Sequence, residues 1–126
     1  MTICVETVNH DDHLRIIILG MGGEVSKGIL KAIRQTDIPC EIIGACISPD
    51  SEGLYVCDRA YLAPYANDLV FIDWLAELCH QEAADIVLTG VEENIRAISE
   101  NMTRLRRETS AVFRVSSPEQ LRIGGG

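Results

Sequence analysis

Positive charge is scarce in this chain. Eleven lysines and arginines stand against 19 aspartates and glutamates, a formal net charge of −8. That balance excludes a general nucleic-acid binder, which needs a basic surface to displace the counterions of phosphate. Long apolar runs are missing too. None approaches the roughly 20 residues that span a bilayer, so no membrane partner is expected. The stretch Met1–His13 has neither a cationic segment nor an apolar one, so no secretory signal is read there. The five cysteines (Cys4, Cys40, Cys46, Cys57 and Cys79) are odd in number and form no CxxC pair. They read as cytosolic thiols rather than a disulfide framework or a zinc site, and the expected location is cytoplasmic. The Asn101-Met102-Thr103 sequon then carries no meaning. No internal repeat or low-complexity tract is present, and no Cys–His or Ser–His–acid set can be assembled.

The chain has 126 residues, 47% apolar and 24% charged, which is the make-up of one ordinary globular domain. Its most informative segment is Ile16-Ile17-Ile18-Leu19-Gly20-Met21-Gly22-Gly23. An apolar strand buried on both faces runs straight into a glycine turn, and helical spacing follows at Val25, Ile29, Leu30 and Ile33. The same alternation continues along the chain. Strands are predicted at Arg15–Leu19, Glu41–Ile47, Ala60–Ala63, Asp85–Thr89 and Ala111–Val115. Helices are predicted from Val25 to before Asp37, from Phe71 to about Ala83, and as one long helix over Glu92–Glu108. A further helix starts at Ser117-Pro118, a serine cap followed by proline at the first helical position. Strands alternating with helices predict an α/β fold, a Rossmann-like doubly wound parallel sheet of roughly five strands with helices on both faces. The ligand cleft then lies beyond the carboxyl ends of the strands. The polar stretch 1–14 reads as a tail.

Two sets of residues are candidates for binding. Gly20, Met21, Gly22 and Gly23 can present backbone N–H groups to an anion, with Ser26 and Lys27 near enough to assist. The alternative is a tight strand-to-helix turn with nothing bound. Glu92 and Glu93 follow Gly90 at the end of the fourth strand, where the cleft opens. They can bind a substrate amine or position a partner domain, or act only as first-turn acids on the helix dipole. No catalytic residue and no metal site is assigned. His10-Asp11-Asp12-His13 has ligand-type side chains but lies in the tail, and His80 is expected to be exposed. Arg104, Arg106 and Arg107 read as a solvated helix end. Tyr55, Tyr61 and Tyr65 can line the cleft or a domain interface.

Five segments in order resemble the N-terminal pre-ATP-grasp domain of ATP-grasp ligases, including the carbamoyl phosphate synthase large subunit. They are Ile18–Gly23, Ile43–Asp50, Cys57–Pro64, Val87–Glu93 and Ser116–Ile123, and the resemblance covers about residues 15–123. It implies a supporting domain that packs against an ATP-grasp domain and walls one side of a small-molecule substrate cleft. It also implies that ATP and Mg2+ belong to the full-length parent, held by a part beginning just after Ile123, and that no cofactor belongs to this segment. The parent would activate a carboxylate as an acyl phosphate and pass it to an amine; this chain alone would be inactive. The glycines 124–126 then mark a truncation point, and the partner is the missing ATP-grasp domain or a separate catalytic subunit. An apolar face uncovered near residues 115–123 would also allow a homodimer. The alternative is a free-standing nucleotide- or small-anion-binding module. A nicotinamide protein is disfavoured, because Val25 stands where the third glycine of that motif belongs and Cys46 where the pattern often carries aspartate.

Overall fold

A computed structural model of the chain describes residues 13–21, 24–48 and 56–114. Five strands and four helices follow one another along these residues: β1 (Leu14–Leu19), α1 (Glu24–Arg34), β2 (Cys40–Cys46), β3 (Arg59–Leu62), α2 (Phe71–Glu82), β4 (Ile86–Thr89), α3 (Glu92–Glu100), α4 (Met102–Glu108) and β5 (Val112–Arg114). The strands form one sheet in the order β3-β2-β1-β4-β5, and every pairing is parallel. This is the expected α/β Rossmann-like sheet with helices on both faces.

The isoleucine run explains why β1 takes the centre. Ile17 sits in register between Ile43 and Val87, so its neighbours on both sides are also apolar strands. Alternate residues then serve opposite faces. Ile16 and Ile18 join Met21, Leu30 and Ile42 in one core layer, beneath the helix of the β1–β2 crossover. Ile17 and Leu19 join Phe71, Leu75, Ile98 and Leu105 in the other layer, beneath the helices of the later crossovers. A strand buried on both faces has no polar positions to place, which is why its sequence does not alternate.

Strand ends differ from the sequence reading by one residue. Pairing of Leu14 with Cys40 and of Ile43 with Arg59 draws β1, β2 and β3 one position toward their amino ends. The predicted single helix over 92–108 is two helices, broken at Asn101. Its backbone (φ −118°, ψ 20°) leaves helical values. Its side chain donates to the Ala97 carbonyl at 2.8 Å while its amide turns to Ile98. A short polar side chain of this kind competes with the helical ladder. The N-terminal tail to residue 12, the loop 49–55 and the segment 115–126, which includes the expected helix after Ser117, lie outside the described residues.

The amino end of the sheet carries a charge cluster. Arg59 opens β3 and donates to Glu82 Oε1 and to Glu41 Oε1, each at 2.9 Å. Tyr61 donates its hydroxyl to Glu82 Oε2, and Arg15 donates to the Glu82 carbonyl at 3.1 Å. Glu82 closes α2 and is only 5% exposed. Burial pushes its carboxyl up, but the Arg59 and Tyr61 hydrogen bonds and the Arg59 and Arg15 charges outweigh this and hold it below its ordinary value. A depressed folded value means that this group stabilises fully above the unfolded carboxyl value, about 4.3, and that the contribution is lost as pH falls through the lower folded value. Glu82→Gln should therefore flatten the acid limb of a plot of urea midpoint against pH. An unchanged limb would show that other carboxylates set it.

Candidate functional site

The carboxyl ends of β1 and β4 meet where the strand order reverses, the usual ligand crevice of doubly wound sheets. Here that crevice is filled by the chain itself. Gly20 has φ +70°, and a methyl group on it would lie 2.2 Å from Val91 Cγ2. A methyl group on Gly90 would lie 2.2 Å from Val25 Cγ1. The two turns interlock, each glycine receiving a valine from the opposite turn.

A buried polar knot ties them together. Ser26 Oγ donates to the Leu19 carbonyl at 2.8 Å and accepts the Gly90 amide at 3.3 Å. Thr89 Oγ1 donates to the same carbonyl at 3.3 Å. It also accepts the Val91 amide at 3.1 Å and Asn94 Nδ2 at 3.4 Å. Each hydroxyl both donates and accepts, so the buried groups are satisfied and hold one geometry.

Open space lies to the β2–β3 side of this interlock. A cavity of about 510 Å³ has Leu19, Gly20, Cys46 and Ile47 at the strand ends, Ala63–Asn67 and Phe71 on one wall, and Val91, Glu93 and Asn94 on the other. Its lining is largely apolar, as small-molecule sites are. Among the described residues no lysine, arginine or histidine lines it, and Glu93 is the one carboxylate that does. Tyr65, 64% exposed, stands at the wall. A neighbouring groove of about 360 Å³ shares Ala66, Asn67 and Glu93 and adds Glu92, Arg96 and Glu100.

The sequence-predicted residues divide between these places. Gly20 and Glu93 line the cavity. Glu92 lines only the groove, where it accepts from Arg96 at 2.9 Å. Met21 is fully buried in the layer beneath α1, and its amide donates to the Ala45 carbonyl at 3.1 Å. Ser26 is also fully buried, with its hydroxyl in the knot. The Met21 amide and the Ser26 hydroxyl are thus both engaged within the chain. Lys27 pairs with Glu24 at 3.3 Å on α1. Gly22 and Gly23 lie outside the described residues.

Tyr65 lines the cavity, whereas Tyr61 turns to Glu82 and Tyr55 lies outside the described residues. His80 is exposed, and Arg104 pairs with Asp73 and Glu108 on the helix surface. Sequence reasoning missed Asn67, Phe71 and Asn94. Two are asparagines without a motif, and Phe71 reads as ordinary core. Cys40, Cys46, Cys57 and Cys79 are not joined in disulfides. Among the described residues no helix is long and apolar enough to cross a membrane, and no three His, Cys, Asp or Glu side chains converge as metal ligands would.

Comparison with known proteins agrees with this architecture. Residues 16–113 match the family described as PylC-like, N-terminal domain. Among solved structures, glycinamide-RNase-transformylase T from Mycobacterium tuberculosis is similar in fold, with a TM-score of 0.58 at 13% sequence identity. The match covers 79% of this chain and 28% of that one, so the chain spans less than a third of that protein. No curated protein matches the chain in sequence. With the family pattern running from the first core strand to the last, the chain belongs to the PylC-like N-terminal domain family, a pre-ATP-grasp domain of the kind found in ATP-grasp ligases.

Proposed function

We propose that this domain walls the substrate cleft of an ATP-grasp carboxylate–amine ligase and that Glu93 meets the substrate's amine. The observation that carries the reading is the cavity beyond the strand carboxyl ends, apolar apart from a few polar groups, with the Glu93 carboxylate as the one charged side chain that the described residues give it. A carboxylate beside an apolar wall favours an ammonium group on a hydrocarbon stem, through a charge-assisted hydrogen bond.

In this class of ligase, ATP phosphorylates a carboxylate to an acyl phosphate. The bound ammonium gives one proton to solvent; the free amine then attacks the acyl carbon, phosphate leaves with the bonding electrons, and the new amide loses a second proton. The domain's share is orientation, because holding the amine in line makes the attack effectively intramolecular. The phosphates and Mg2+ fall to a partner ATP-grasp domain or subunit in the cytoplasm, since no cationic side chain among the described residues lines this cavity. Ile47, Leu62, Tyr65, Leu69 and Val70 are each more than half exposed. They lie at the ends of β2 and β3 and before α2, and they offer an apolar surface for that partner to cover.

Two measurements test the reading. Calorimetric titration of residues 1–126 with MgATP should show no binding. The complete ligase, domain and partner together, should release ADP only when both a carboxylate and an amine are supplied. Glu93→Gln there should raise KM for the amine by roughly 10- to 100-fold, the size of a lost charged hydrogen bond. Tight, magnesium-dependent ATP binding by the 126-residue chain would overturn the proposal in favour of a free-standing nucleotide-binding module.

A further inference from the structure

We propose that Glu82 is a positioning residue for the ligand cavity, acting through Arg59 and Tyr61 on strand β3 from the opposite end of the sheet. The inference takes the cavity as the ligand site, as proposed above.

β3 is a short edge element of the cavity's frame, held just before its start by the Asp58 carboxylate, which accepts the Ile42 amide at 2.7 Å. The strand is four residues long and, among the described residues, lies at the sheet edge and pairs only with β2. Its residues alternate between half-buried and exposed, so packing alone grips it weakly. The wall residues Ala63–Asn67 follow it directly, and wherever β3 sits they must begin. The companion element α2 is fixed differently. Phe71, Ile72, Leu75, Leu78 and Cys79 bury one face of it in the core.

Glu82 joins the edge element to the fixed one. Its two carboxylate oxygens each take a β3 side chain, Arg59 on one and Tyr61 on the other. Arg59 reaches on to Glu41 of β2 and Arg15 of β1 completes the ring through the Glu82 carbonyl and Glu41. At the far end, the Ala63 amide donates to the Cys46 carbonyl at 2.9 Å, and Cys46 itself lines the cavity. A slip of β3 released at Arg59 therefore reaches the cavity within one short strand.

Amide hydrogen exchange on the 126-residue chain tests this without any ligand, so its outcome is independent of which substrate the cavity takes. The informative amides are Asp58, bonded to the Ile42 carbonyl, Ala63, bonded to Cys46, and Asp68, bonded to Tyr65. Met21 and Val112, bonded to Ala45 and Asp85, serve as references elsewhere in the sheet. Glu82→Ala should speed exchange at Asp58, Ala63 and Asp68 at least 10-fold more than at the references. Tyr61→Phe, which leaves the Arg59 pair intact, should do so about threefold and supplies the test if Glu82→Ala does not fold. An equal change at all five amides, or none, would overturn the proposal and leave Glu82 a general stabiliser.

Discussion

Phe71→Ala is expected to cost about 3–5 kcal/mol of stability, a large share of what a domain of this size possesses. Phe71 is 1% exposed, begins α2, and belongs to the core layer of Ile17, Leu19 and Ile43. It also lines the cavity, so truncation would join a new void to an existing one. The neighbours are strand residues held in a parallel ladder and cannot collapse into the gap, which places the cost toward the upper end of the range for aromatic truncation. Its ring stacks on that of Trp74, with centroids 6.1 Å apart at 28°. Trp74 is the chain's single tryptophan, so urea denaturation followed by its fluorescence reads both the stability and the loss of the stack. Phe71→Leu should recover more than half of the loss. A cost below about 1 kcal/mol for the alanine variant would mean that the ring is not part of the packed core.

Gly20→Ala is expected to cost about 2–4 kcal/mol, from two separable causes. One is the backbone: φ +70° is a left-handed value that disfavours any side chain. The other is the overlap with Val91. Val91→Ala in the same chain should remove the second cause and not the first, so the double variant should be less destabilised than the sum of the singles by about 1 kcal/mol or more. Strict additivity in chemical denaturation would show that the turns do not interlock as described.

The layers of the fold were legible because burial on both faces leaves a plain mark. Runs such as Ile16–Leu19 and Ile42–Ile43 admit few other readings once glycine turns and helical spacing follow them. The break at Asn101 was not legible, since Ile95, Ile98, Met102 and Leu105 keep their phase across it and only a side-chain hydrogen bond interrupts the ladder. The site was legible in part. A glycine after a buried strand pointed to Gly20, and position after β4 pointed to Glu93. The fates of Met21 and Ser26 were hidden, because a glycine turn that exposes its amides and one that engages them read alike. The Arg59–Glu82 pair was hidden for another reason. Its members lie 23 residues apart, on a strand and a helix whose meeting is decided by the tertiary fold.

The central place of β1 bears on how the chain is made. Its partner β4 pairs Ile16 with Ile86 and Leu19 with Thr89, and the Arg15 amide waits for Asp85, 70 residues away. At a ribosomal pace of roughly 5–20 residues per second, those 70 residues take roughly 4–14 s to appear. Throughout that interval the most apolar strand of the domain is already synthesised and lacks one of its two flanking strands. Nascent β1 thus stays open on that side while the intervening chain is made, and slowing synthesis between β2 and β4 should lower the soluble yield more than slowing it after β5.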